Sequence, residues 1–125
     1  MSVTISSTQA LRFLDLVSRS LVSEAKIEAA PDFTLRQLAV FLTIYLDRPP
    51  HTVRGLAGAL GVTKPVISRA LDALGKYDLV GRRRDENDGR NVIVQRTVKG
   101  SLYIETLGDL VIAKAAALPP TGFQE

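Results

Sequence analysis

A mainly α-helical fold with one small β-hairpin is the class this sequence predicts, and three observations predict it. Apolar residues recur at spacings of three and four through five separate stretches, the periodicity of one helix face. Gly61-Val62-Thr63 divides two of those stretches by a turn so short that they form a helix-turn-helix. Two strand-like runs, Leu79-Val80 and Asn91-Val92-Ile93-Val94-Gln95, flank a polar turn that ends in Asp88-Gly89, which makes a hairpin.

The 125 residues, 46% of them hydrophobic, suffice for one compact core, so a single domain over 1–125 is expected. The absence of cysteine excludes disulfides, thiolate metal sites and thiol redox sensing, and fits a reducing cytoplasm. The N-terminus lacks a basic region followed by an apolar run. No apolar stretch approaches the ~20 residues of a membrane span. Export and membrane insertion are therefore not expected. The net charge of +3 is unevenly placed. Lys64 to Lys99 holds nine Lys and Arg against five Asp and Glu, whereas the rest of the chain is slightly acidic. A local basic excess of this kind is the footprint of a phosphate-binding surface. A solvated charged hairpin without function is the bland reading of the same residues.

The first helix is expected from about Thr8 to Ala29, capped by Ser6, Ser7 or Thr8, with Leu11, Leu14, Val17, Leu21 and Ala25 as its inward stripe, until Pro31-Asp32 breaks it. Thr34 and Gln37 have capping-box spacing, and Phe33 can staple onto Leu38, so a second helix starts at Leu35. It is apolar nearly all round through Leu46, which marks a central buried helix, and Pro49-Pro50 follows as a stop. Thr52 caps a third helix with Val53, Leu56, Ala57 and Leu60 inward, and Gly61 ends it. The glycines 55, 58 and 61 do not match a dinucleotide fingerprint and read as close helix approaches.

Thr63 is expected to cap the fourth helix, with Pro65 in its first turn. Ile67, Ala70, Leu71 and Leu74 must face the core, which leaves Lys64, Pro65, Ser68, Arg69, Asp72 and Lys76 outward. Lys64, Ser68 and Arg69 lie in the N-terminal half, where a recognition helix offers side chains to base edges in the major groove. The hairpin then forms a wing over 79–95. Arg82, Arg83 and Arg84 run along its first strand and Arg90 follows its tip, so guanidinium groups can reach phosphates or a minor groove. Asp88 is expected to pair with a wing arginine and fix its direction. Thr97 caps a last helix from Val98 to about Ala117, with Tyr103, Leu107, Leu110, Val111 and Lys114 on one face, before Pro119-Pro120 and a tail.

The sequence resembles the MarR family of winged helix-turn-helix transcription regulators over roughly 33–100. The resemblance rests on the 63–74 helix, Leu79-Val80-Gly81-Arg82, Asp88-Gly89-Arg90 and Thr97-Val98-Lys99-Gly100, in the family's order. It departs at Asp78, where the family usually has glycine, at Arg96, where it usually has an apolar residue, and in the shortness of the terminal helices. The resemblance implies a homodimer built from N- and C-terminal dimerisation helices (8–30 and 98–118) flanking a DNA-binding lobe (33–96). Such a dimer would repress from a pseudo-palindromic operator on double-stranded DNA. By the same resemblance, Thr63, Lys64, Pro65, Ser68 and Arg69 would meet the major groove and flanking phosphates, and Arg90 the minor groove. It also implies a small aromatic effector, for which Phe13, Phe41 and Tyr45 are the candidate lining, although packed core is the simpler reading of those rings.

Two other classes stay open. An enzyme has little to build on, since His51 is the single histidine and no nucleophile, metal cluster or phosphate loop accompanies it; neither cofactor nor metal is expected. A winged helix used for protein contact or assembly would show large apolar residues on the outward face of the 64–76 helix. That face shows Lys, Ser and Arg instead.

Overall fold

The computed structural model describes residues 6–23 and 32–118. Along them run α1 (Ser7–Ser23), α2 (Leu35–Leu46), β1 (His51–Thr52), α3 (Val53–Leu60), α4 (Lys64–Lys76), β2 (Val80–Arg84), β3 (Val92–Arg96) and α5 (Val98–Ala116). The expected class holds: helices dominate and the strands form one small antiparallel sheet. Two compact units divide the chain, one being Phe33–Ile104 and the other holding α1 and the part of α5 from Glu105 onward. The expected helical turns at 24–29, the Pro31 break and the 119–125 tail lie outside the described residues.

Within Phe33–Ile104, local chemistry sets the helix ends. Thr34 accepts from the Gln37 amide at 3.1 Å while the Gln37 side chain accepts from the Thr34 amide at 3.0 Å, completing the capping box. The Thr52 hydroxyl caps α3 by accepting from the Gly55 amide at 2.9 Å. Gly61 ends α3 with φ +66°, a left-handed conformation that glycine adopts without steric cost. The glycines are not helix contacts, however. Beside Gly58 and Gly61 a Cβ would meet open space, and beside Gly55 only the capping hydroxyl of Thr52.

The core is formed by Phe41, Ile44, Leu56, Ile67, Leu71, Leu74 and Leu79, each 0–1% exposed. Full burial of side chains of this size stabilises by about 1.5–3 kcal/mol each. Phe41 and Ile44 sit on the inward side of α2, but Leu35 and Leu46 at its two ends are exposed, so that helix is buried on one side rather than all round. Phe33, the residue before the capping box, packs against other rings. Its ring stacks on Phe41 at 6.1 Å and meets Tyr103 edge-on at 6.0 Å. Burial of Tyr103 pushes its phenol above the ordinary tyrosine pKa.

The sheet has the order β1-β3-β2. The hairpin strands pair from Val80 opposite Arg96 to Arg84 opposite Val92. The third strand, β1, was not foreseen; His51 pairs with Val94 and Thr52 with Ile93. His51 is buried, with Nε2 3.1 Å from the Asp47 carbonyl, which gives it a structural place between α2 and the sheet.

The hairpin stands on a polar joint. The Tyr45 hydroxyl donates to the Leu79 carbonyl at 2.6 Å and accepts from the Thr97 amide at 3.0 Å. Thr97 donates its hydroxyl to the Asp78 carbonyl at 2.7 Å and accepts from the Gly100 amide at 2.9 Å, so it caps α5 and ties α5 to the turn before β2. Gly100 is required by this joint. A Cβ there would overlap the Tyr45 hydroxyl and the Leu79 carbonyl. Arg96 closes the end of α2 with bonds to the Ile44 and Asp47 carbonyls at 2.8 and 2.9 Å.

In the other unit, the Ser6 hydroxyl caps α1 by accepting from the Gln9 amide at 3.1 Å. The expected inward stripe of α1 is only half right. Leu11 and Leu14 are 65% and 60% exposed, Val17 and Leu21 are half-buried, and the buried position is Ser20, whose hydroxyl bonds back to the Leu16 carbonyl. On α5 the expected face holds: Leu107 is buried and Leu110, Val111 and Lys114 are half-buried.

Candidate nucleic-acid interface

Helix α4 presents two chemically opposite faces. Ile67, Ala70, Leu71 and Leu74 are sealed in the core at 0–4% exposure, and Lys64, Pro65, Arg69, Asp72 and Lys76 are exposed. Ser68 lies at the margin, half-buried. Among the described residues, no hydrogen bond or ion pair engages the charged ends of Lys64, Arg69 or Lys76. Thr63 occupies the N-cap position, φ −84° and ψ 159°, yet its hydroxyl makes no capping bond. The expected cap is thus corrected: backbone geometry and Pro65 start the helix, and the Thr63 hydroxyl is left at the exposed N-terminal end.

The hairpin arginines are arranged differently. Strand alternation puts Arg82 and Arg84 on one face and Arg83 on the other. Arg82 Nη2 lies 2.6 Å from Asp72 Oδ1 on α4, and an open cleft between α4 and β2 is lined by Asp72, Gly75, Lys76, Val80 and Arg82. Arg84 donates to the Gly89 carbonyl at 2.7 Å, which braces the turn. Asp88 receives both the backbone amide and the Nε of Arg90, at 3.1 and 3.2 Å, the expected pairing of a wing acid with a wing arginine. Arg83 is exposed and has no such bond among the described residues. The turn itself is closed by the Asp85 amide, which donates to the Asn91 carbonyl at 3.0 Å, and by the Asn87 amide, which donates to the Asp85 carboxylate at 2.9 Å.

The site therefore brings Thr63, Lys64, Pro65, Ser68 and Arg69 together at one end of α4, and Arg82, Arg83, Arg84, Asp88 and Arg90 along one hairpin. Asp72, placed on the outward face by its spacing, joins this group through its ion pair with Arg82, a contact that the sequence did not announce. Phe41 and Tyr45, two of the three candidate effector-lining residues, are packed against each other at 4.9 Å, with Tyr103 5.8 Å from Phe41. Phe13 belongs to the other unit and is half-buried. No group of three or more His, Cys, Asp or Glu is placed to hold a metal among the described residues. No helix among them is long and apolar enough to cross a membrane.

The family model of the MarR family matches residues 33–92. That segment, just under half of the chain, is similar to the MarR family. Every expected interface residue, from Thr63 to Arg90, falls inside the match. The fold is similar to that of solved winged-helix regulators. The transcriptional repressor CouR bound to a 23-mer DNA duplex is 26% identical, with a TM-score of 0.66 over 84% of this chain and 68% of that one. The S. aureus MepR–DNA complex is 20% identical, with a TM-score of 0.67 over 82% of this chain and 78% of that one. The PcaV transcriptional regulator from Streptomyces coelicolor in complex with its natural ligand is 22% identical, with a TM-score of 0.62 over 94% and 82%. No curated protein sequence matches the chain.

Proposed function

We propose that this chain is a transcription regulator that binds double-stranded DNA sequence-specifically, with α4 in the major groove and the β2–β3 wing along the adjacent backbone. One observation carries the reading. The outward face of α4 displays Lys64, Arg69 and Lys76 without partners among the described residues, while the opposite face is locked in the core. A helix held rigidly from behind and cationic in front is what major-groove reading requires. A protein-docking helix would carry large apolar side chains there instead. The DNA complexes of CouR and MepR support the same use of the fold.

The finer reading is a homodimeric repressor on a pseudo-palindromic operator. Leu11, Leu14 and Val22 of α1 and Ile112 of α5 are 56–69% exposed, and such apolar side chains favour a partner that covers them. A twofold-symmetric pair of α4 helices would then meet half-sites about one DNA turn, ~34 Å, apart. A small aromatic effector belongs to this reading as well, supported by the ligand complex of PcaV. Thermal-shift measurements with aromatic acids test it, and the absence of any stabilisation removes it.

The test of the main reading is selection of duplexes by the wild-type protein from a random-sequence library, followed by footprinting and sedimentation of the complex. The expected result is an inverted repeat bound by two copies. Failure to enrich any sequence contradicts the proposal.

A further inference from the structure

The face of α4 proposed to meet DNA carries one charge of the wrong sign. Pro65, Arg69, Asp72 and Lys76 follow one another at helical spacing, so Asp72 sits between two cations on the outward stripe, its side chain 67% exposed. An unpaired carboxylate at that place would repel phosphate oxygens and weaken the attraction of its cationic neighbours. Asp72 is paired, but with neither of them. Its partner reaches across from the wing: Arg82 Nη2, at 2.6 Å.

The placement of Arg82 is not accidental to the strand. Val80 and Arg82 lie on the same face of β2, and Val80 is 4% exposed. Burial of Val80 thus turns Arg82 toward α4. Of the two wing arginines in ion pairs, Arg82 has the less exposed side chain, 36% against 88% for Arg90.

We propose that Arg82 is the counter-charge of Asp72 and not a phosphate ligand: it cancels the carboxylate on the recognition face, so that Arg69 and Lys76 act on DNA at full strength. Arg82 is in this sense a positioning residue, acting through Asp72 and holding the base of the wing beside α4. The inference rests on the DNA-binding reading above and goes further, because it divides the wing arginines into one that neutralises and others that remain for the backbone.

The two roles of Arg82 are separable by charge. A phosphate ligand is lost whenever Arg82 is removed, whatever happens at Asp72. A counter-charge is needed only while Asp72 is present. The experiment measures affinity for a duplex selected by the wild-type protein, at several salt concentrations, for wild type, Arg82→Ala, Asp72→Ala and the double variant. Arg82→Ala is expected to bind about tenfold more weakly, because the bare Asp72 faces phosphate. The double variant is expected to return to within about threefold of wild type, with an unchanged slope of log affinity against log salt. A double variant as weak as Arg82→Ala, with a slope smaller by about one, overturns the proposal. Thermal midpoints report folding. If Arg82→Ala folds poorly, Arg82→Gln with and without Asp72→Asn makes the same comparison, and recovery only in the pair is again the expected result. If the wild type selects no duplex, the functional reading itself has failed, an outcome distinct from failure of rescue on a duplex that the wild type binds.

Discussion

The two cationic regions of this molecule hold their charges in opposite ways. On α4, Lys64, Arg69 and Lys76 extend from a helix whose other face is fully buried, and no bond within the described chain restrains their charged ends. On the hairpin, three arginines are already engaged: Arg82 with Asp72, Arg84 with the Gly89 carbonyl and Arg90 with Asp88. The helix can offer unpaired donors because its position is set by core packing. The hairpin has little core of its own, so its arginines first shape it. Exposed pairs such as Arg90–Asp88 contribute only about 0–1 kcal/mol, so Arg90 can leave Asp88 for another anion at small cost.

The most severe way to break this contrast is to remove the ground on which the hairpin stands. Gly100→Ala should destabilise the protein by about 3 kcal/mol, since the new methyl overlaps a backbone carbonyl that cannot move without moving the start of β2. Urea denaturation measures the loss, and hydrogen exchange should show it concentrated in 78–100 rather than in α4. Tyr45→Phe should cost less, about 1–3 kcal/mol, by leaving the Leu79 carbonyl and Thr97 amide without their shared partner. A fully unchanged denaturation midpoint would show that the joint does not anchor the wing. Arg84→Ala should cost only about 1 kcal/mol in stability while loosening the wing tip, read as faster amide exchange at 86–91. Smallest, and of opposite sign, is Asp78→Gly. Asp78 has φ +58°, a left-handed conformation costing an L-residue about 1 kcal/mol, so glycine should raise stability by up to that amount. A lower midpoint would mean that the Asp78 side chain contributes more than its backbone costs.

Much of the fold was legible because its signals are local. The Thr34–Gln37 capping box, the Gly61 turn, the Thr97 cap and the buried stripe of α4 each depend on residues within one or two helical turns. What was missed depends on residues far apart in sequence. β1 is two residues long and exists through pairing with Ile93 and Val94, which no periodicity in 51–52 announces. The role of Gly100 was visible as a motif, but its cause, the Tyr45 hydroxyl, comes from another helix 55 residues away. On α1, periodicity identified an apolar stripe without telling whether it faces the chain's own core, and Leu11 and Leu14 do not. The departure at Arg96 also has a tertiary explanation: its guanidinium closes the last turn of α2 and lies over the Tyr45 ring at 5.7 Å. At the candidate site, residue types and spacing located every cation, but only the folded arrangement divides those that are paired from those that are not.

The central claim is that α4 reads sequence and the wing supplies backbone attraction. Its most direct measurement compares Arg69→Ala with Arg83→Ala, using the selected duplex and a scrambled duplex at matched salt. The account predicts that Arg69→Ala loses about 1–3 kcal/mol on the selected duplex and much less on the scrambled one. It predicts that Arg83→Ala weakens both equally and lowers the salt slope by about one. Equal effects of the two variants on both duplexes, or no effect of Arg69→Ala on discrimination, would contradict it.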